Sequence, residues 1–241
     1  MSAKQIIIEA HRGDSFNAPE NTMAAFRRAI ELNAPAIELD VHPAMDGTLM
    51  VMHDDTVDRT TNGAGAVSAM AVEELLKLDA GAKFSPAFSG EKIPTLVDVF
   101  NLLASGNIRL NIEIKASPPG MNVPFTLVNL LRRFDKERHY VVSSFNPDAL
   151  LAVRTIAPEI TLALIGNGPE ILPQAQQQHF SWIHGNFRTV DAQLIARAHA
   201  TGLRVNIWTM DDPARVAYWR GINVDKICTN CPAKILAAVQ S

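Results

Sequence analysis

Gln5-Ile-Ile-Ile-Glu-Ala-His-Arg-Gly13 decides the reading of this chain. An aliphatic run, Ile6 to Ile8 and then Ala10, leads straight into His11-Arg12-Gly13. Such a run marks a strand covered on both faces. It ends by placing an imidazole and a guanidinium at its mouth. Glu9 interrupts the run, so it requires a polar partner at the mouth or inside the fold. The layout recurs. Ile37 leads to Glu38 and Asp40, Leu49 to Met52 lead to His53-Asp54, and Ile108 to Ile114 carry Glu113 and Lys115. Strands that end together on carboxylates, histidines and cations are the arrangement of a catalytic barrel mouth.

Outward from this stretch, Asn21 or Thr22 is placed to cap a helix bearing Met23, Phe26 and Ile30 on one face, which Asn33-Ala34-Pro35 stops. Strand Ala36 to Val41 follows. Glu38 and Asp40 lie two apart, so they share a face. Inside a barrel the two carboxylates repel and lose hydration, and a bound cation offsets both costs. The alternative is a solvent-facing edge, which the apolar neighbours Ala36, Ile37, Leu39 and Val41 argue against. Asp46-Gly47 signals a hairpin. Residues 42 to 48 are too few for a parallel crossover, so Leu49 to Met52 is expected to run back antiparallel. It returns His53 and Asp54 towards the mouth. Residues 55 to 94 do not read as a βα unit and are expected to cap the site, with a short helix at 72–78. Thr95 caps a helix through residue 104.

From Asn107 the rhythm is regular. Strand Ile108 to Ile114 puts Asn111, Glu113 and Lys115 on one face, although a half-exposed antiparallel strand would alternate in the same way. Later strands are expected at 140–145, 161–165, 181–184, 204–208 and 226–229. Helices are expected at 123–134, 147–156, 169–178, 191–200, 212–219 and 232–239. Eight βα units predict a TIM (β/α)8 barrel, one domain over residues 1–241, with an insertion at about 44–94 between the second strand and its helix. No glycine-rich phosphate loop points to a doubly wound sheet.

The 241 residues are 47% hydrophobic with a formal charge of −3, enough for one barrel-sized core. No basic run suggests nucleic acid. Apolar stretches fall short of the roughly 20 residues of a membrane span. Met1 to Gln5 shows no signal peptide, so a cytoplasmic location is expected. Two cysteines make no disulfide framework. A homodimer is compatible with apolar residues on the outer helices. The Cys228–Cys231 spacing lacks a thioredoxin-like context. His42, His139, His179 and His199 read as surface or loop residues, while His184 stands at a strand end within reach of the mouth. Trp208 and Phe16 are candidates to line the substrate.

His11-Arg12-Gly13, Pro19-Glu20-Asn21-Thr22, Glu38-Leu39-Asp40-Val41, His53-Asp54, Arg59-Thr60-Thr61-Asn62-Gly63, Glu113-Ile114-Lys115, Ser144-Phe145 and Trp208-Thr209 occur in this order across nearly the whole chain. In them the sequence resembles the glycerophosphodiester phosphodiesterase family. The resemblance implies hydrolysis of a small glycerophosphodiester to sn-glycerol 3-phosphate and an alcohol. It implies a divalent cation, Mg²⁺ or Ca²⁺, on Glu38, Asp40 and Glu113. It also implies general acid/base catalysis by His11 and His53, with Arg12 and Lys115 on the phosphate. The chemistry is coherent by itself, because hard oxygen ligands suit these ions and histidines transfer protons near neutral pH. Three positions depart from the family pattern: Ala44 before the hairpin, Glu9 in the first strand, and Asn230 where Thr-Asp-x-Pro is usual. A lysophospholipase D-type enzyme, with Phe84, Phe88, Met121 and Phe125 as an apolar lip, is one alternative. A non-catalytic phosphodiester-binding barrel is another. A zinc amidohydrolase would carry His-x-His on the first strand.

Overall fold

The computed structural model describes residues 5–104, 106–134 and 140–240, so the expectation for His139 lies outside the described residues. The elements run in the order β1 (Ile7–His11), α1 (Met23–Glu31), β2 (Ala36–Pro43), β3 (Leu49–Val51), α2 (Val72–Leu75), α3 (Leu96–Leu103), β4 (Arg109–Ile114), α4 (Val123–Phe134) and β5 (Tyr140–Ser144). They continue α5 (Pro147–Ile156), β6 (Thr161–Gly166), α6 (Ile171–Gln177), β7 (Trp182–Asn186), α7 (Ala192–Ala200), β8 (Arg204–Trp208), α8 (Val216–Gly221), β9 (Lys226–Thr229) and α9 (Pro232–Gln240). β1, β2 and β4 to β9 form eight parallel strands, and β1 pairs with both β2 and β9, so the sheet closes on itself. This is the TIM barrel. β3 lies antiparallel on β2, with Val41 opposite Val51, as its short connection requires.

Closure buries strands on both faces. All eight residues of β2 are buried, Glu38 and Asp40 included, so the solvent-facing edge is excluded for that pair. In β4 only Arg109 is exposed, which excludes the half-exposed alternative. Thr22 rather than Asn21 caps α1, its hydroxyl accepting from the Ala25 N–H. Phe26 of that helix is fully buried against the barrel, a gain of about 1.5–3 kcal/mol. Thr95 and Asp98 form a reciprocal capping box at the start of α3. Between β2 and α3 a second, smaller core gathers around Met50, Val57, Val67, Leu75 and Ile93.

Some boundaries differ from the sequence expectation. The helix expected at 212–219 is a 3₁₀ turn, Pro213–Arg215, followed by α8. Asp212 spends its carboxylate on the Ala214 N–H there, and the tight turn precedes the helix. α2 spans only four residues. His42, expected at the surface, is buried on β2, where its Nε2 donates to the His53 carbonyl at 3.1 Å. His199 is not a free surface group either. It sits half-buried in α7 with its Nε2 2.7 Å from Asp225. His179 is exposed after α6.

β1 ends sharply. Arg12 (φ 55°) and Gly13 (φ 83°) both lie in the left-handed region. A Cβ on Gly13 would stand 2.6 Å from the Ala25 carbonyl carbon and 2.7 Å from its Cβ. Both backbone strain and overlap with α1 therefore require glycine. We expect Gly13→Ala to cost about 2–4 kcal/mol, lowering Tm by roughly 10 °C in a chain of this size. A thermal melt checks it, and an unchanged Tm would contradict the steric account.

Candidate active site

The strand registers assemble the site. His11 on β1 lies beside Glu38 on β2, and Asp40 on β2 lies beside Glu113 on β4. Partners in a parallel pair share a face, so all four point into the barrel at its C-terminal end. An open-mouthed cavity there encloses about 540 Å³, solvent mouth included. His11, Arg12, Glu38, His53, Glu113 and Lys115 line one side of it. Phe145, Ile165, His184 and Trp208 line the other, with Cys228 also on the lining. Asp40 is fully buried and paired with both cations. Phe16 is not on the lining. It is 55% exposed, and its ring meets the Lys234 ammonium at 4.2 Å.

Oxygen atoms of Glu38, Asp40 and Glu113 come within 4.8 Å of one another. Lys115 bridges two of the three, 2.9 Å from Asp40 and 2.5 Å from Glu113. The Arg12 guanidinium is 3.3 Å from Asp40, and its backbone N–H donates to Glu38 at 3.0 Å. Asn21, also in the left-handed region, donates its side-chain amide to Asp40 at 2.8 Å. The charges divide accordingly. Burial works to raise Asp40, but Lys115 and Arg12 outweigh it and hold the carboxyl at about 2. Burial, then the neighbouring Asp40 and Glu113, push Glu38 well above the usual range. Burial and Asp40 lift Glu113 to about 7. Three hard oxygen donors, two of them with carboxyls raised by burial and by the neighbouring Asp40 charge, fit a Mg²⁺ or Ca²⁺ ion.

Each histidine is oriented through Nδ1. Asn230 donates its Nδ2 to Asp211 at 2.8 Å, which fixes its Oδ1 towards His11 Nδ1 at 2.7 Å. His11 therefore carries its proton on Nδ1 and leaves the Nε2 lone pair free. Burial, and then the Arg12 charge, lower this imidazole to about 4. His53 Nδ1 meets the Asp54 carboxylate at 2.6 Å. Burial lowers His53 too, with Asp40 opposing. An ionic chain joins the two sides. Arg12 contacts Glu20 at 2.9 Å, Glu20 receives Arg59 at 2.7 and 2.9 Å, and Arg59 clamps Asp54.

Sequence reasoning missed one partner of the site, Asn230, while it places His184 at a strand end within reach of the mouth. Asn230 registered only as a lost carboxylate in the last loop, yet it holds His11. His184, 2% exposed, reaches the cavity, and its Nε2 has no partner among the described residues. Its neighbour Trp208 donates Nε1 to the His184 carbonyl at 2.8 Å and meets Phe145 edge-on. Glu9 finds its partners inside the barrel, with Lys226 at 2.6 Å and Asn206 at 3.1 Å. Cys228 and Cys231 are separate free thiols, the first on the cavity and the second in the core around α9.

Residues 11–234 match the Glycerophosphoryl diester phosphodiesterase family. A glycerophosphodiester phosphodiesterase of Caldanaerobacter subterraneus is 38% identical over 239 residues, covering 97% of this chain and 98% of that protein. Among solved structures, an Oleispira antarctica phosphodiesterase in complex with the product sn-glycerol-3-phosphate superposes with a TM-score of 0.92 at 28% identity. That match covers 97% of this chain and 96% of the other. An Agrobacterium tumefaciens glycerophosphodiester phosphodiesterase gives 0.83 at 31% identity, covering 96% and 99%. The chain thus belongs to the glycerophosphodiester phosphodiesterase family and is a phosphoric diester hydrolase.

Proposed function

We propose that this enzyme hydrolyses small glycerophosphodiesters to sn-glycerol 3-phosphate and an alcohol by histidine general acid/base catalysis, assisted by Mg²⁺ or Ca²⁺ on Glu38, Asp40 and Glu113. The observation that carries this is the convergence of two oriented histidines, two cations, Glu38 and Glu113 on one cavity, with an oxygen of buried Asp40 within 4.8 Å of both carboxylates. When bound, the ion neutralises charge on the phosphoryl oxygens. Arg12, braced by Asp40 and Glu20, presents a guanidinium to a phosphate oxygen. Lys115, held between Asp40 and Glu113, supplies a second positive charge. His11 is the general base. Its amide partner leaves it neutral, and its free Nε2 takes the proton of the nucleophile, water or the substrate's 2-hydroxyl. His53 is the general acid, because the Asp54 carboxylate supports the imidazolium that protonates the leaving alkoxide. Trp208 and Phe145 offer an apolar wall to the glycerol carbons, and residues 44–94 act as the cap beside the mouth.

The test is release of sn-glycerol 3-phosphate from glycerophosphocholine and glycerophosphoethanolamine with Mg²⁺, with Ca²⁺ and with EDTA. Release that EDTA abolishes is expected. Folded protein that releases none with either ion would reject the reading, and lysophospholipids would be assayed next.

Two pH effects follow. Cation binding needs Glu113 ionised. Its carboxyl titrates at about 7, so below that pH a proton competes with the ion. Affinity then falls by about tenfold per pH unit for each proton displaced. Calorimetric titration from pH 6 to 8 checks this, and a flat profile would contradict it. Asn230→Asp gives His11 a carboxylate partner, which favours the imidazolium. The base must be neutral, so with the cation saturating at every pH the acidic limb of kcat/KM moves to higher pH, by about 1 unit. A limb that stays put or moves down would remove His11 from the base role.

A further inference from the structure

The cavity floor holds a second group of donors unlike the first. Cys228 Sγ, a ring nitrogen of His11 and a carboxylate oxygen of Glu38 lie within 4.8 Å of one another. They come from three adjacent strands, β9, β1 and β2. The register places Cys228 beside Glu9 and, one inward step further along β1, His11 beside Glu38. Inward residues repeat every second position, so the three side chains share the barrel interior. Cys228 and Glu38 are 2% and 4% exposed. Asn230 occupies His11 Nδ1, so Nε2 is the nitrogen turned to Glu38, at 3.9 Å. A second observation points to a ligand here. His184 Nε2, on the same cavity, is buried and has no partner among the described residues.

One sulfur, one imidazole nitrogen and one carboxylate oxygen are not a set for Mg²⁺ or Ca²⁺. They are a set for a thiophilic, four-coordinate ion with one open position. Glu38 belongs to both groups, so a soft ion bound here competes for a ligand of the hard one. It also takes the Nε2 lone pair of the base. We propose that Cys228, His11 and Glu38 form a thiophilic cation site that takes Zn²⁺ or Cd²⁺ and inhibits the enzyme. On binding, the Cys228 thiol releases its proton to solvent and the sulfur lone pair forms the metal–sulfur bond, with no change of oxidation state. Occupancy of the site is independent of the reaction assigned above, and only the inhibition rests on that reading.

The first arm is a titration of the metal-free protein with Cd²⁺, read as the ultraviolet thiolate-to-cadmium charge-transfer band. One equivalent should saturate the band in wild type, in Cys231→Ser and in Glu113→Gln. Cys228→Ser and Cys228→Ala should lack it while melting as folded proteins. A band that persists in both Cys228 variants, one that disappears in Cys231→Ser, or no band in wild type overturns the site. The second arm is inhibition of phosphodiester turnover by Zn²⁺ in the presence of Mg²⁺. Cys228→Ser should need more zinc for half-inhibition, by at least the roughly 10- to 100-fold that losing even an outer-shell partner costs. Equal inhibition of the variant, or turnover supported by Zn²⁺, overturns the inhibitory role. Should no diester turn over with any ion, the cadmium band still decides the site while the reaction assignment falls alone.

Discussion

Replacing His11 by alanine should lower kcat by roughly 10²- to 10⁴-fold, the contribution expected of a positioned general base. KM changes far less. The reason is geometric. The ring is held by Asn230, which is held in turn by Asp211 through both its backbone N–H and its side-chain amide. The imidazole is therefore fixed before substrate arrives. On the function proposed above, phosphate binding rests on other groups, Arg12, Lys115 and the cation, which the substitution leaves in place. The fold should also survive, because His11 is half-buried at a strand end and packs on a cavity, not in the main core. His11→Gln is the control for shape, since it fills the space without a titratable nitrogen. It should be as slow as alanine. Steady-state kinetics with sn-glycerol 3-phosphate as the measured product decides the matter. A variant within tenfold of wild-type kcat would remove His11 from proton transfer and leave it as a wall of the cavity.

How much of this was legible in the sequence depends on whether a residue's role is local. Period-two spacing put Glu38 beside Asp40 and Asn111 beside Glu113, and strand geometry enforces that wherever the strand lies. The β3 arm was readable because chain length forbids a parallel crossover. Eight apolar runs separated by helical patterns left little but a barrel. Residues whose role depends on a distant strand were not readable. His42 reads as a surface or loop histidine, but β2 extends through Pro43, pairs with the β3 arm there, and the ring is buried. Asn230 and His11 lie 219 positions apart, and only barrel closure brings them together. The Arg59 clamp on Glu20 and Asp54 is likewise set by how the 44–94 segment folds back over the β1–α1 loop. The motif containing Arg59 could be quoted, but its partners could not be assigned. Glu9 was the informative anomaly. A charge in an aliphatic run demanded a partner, although the strand supplying it, β9, lies at the other end of the chain.

That anomaly carries the second large effect. Lys226→Met should destabilise the protein by about 3–5 kcal/mol, because it leaves Glu9 buried without its counter-charge. Glu9 is fully buried and the Lys226 side chain is 4% exposed, so the carboxylate is left largely out of bulk water without its ammonium. Asn206 and Asn111 still donate to Glu9, at 3.1 and 3.4 Å, but neutral amides do not balance a full charge. The expected fall in Tm is roughly 6–20 °C for a chain of this size. The pair itself need not stabilise the fold, since removing two charges from water costs about what their attraction returns. Glu9→Leu combined with Lys226→Met should therefore recover most of the loss. A double-mutant cycle separates the two statements. If the single variant melts with wild type, Glu9 is not left charged and unpaired in the barrel. If the double variant melts no higher than the single, the pair does more than neutralise itself. Its hydrogen bonds to Asn111 and Asn206, and through Asn111 to Ser143, would then hold the barrel interior beneath the active site.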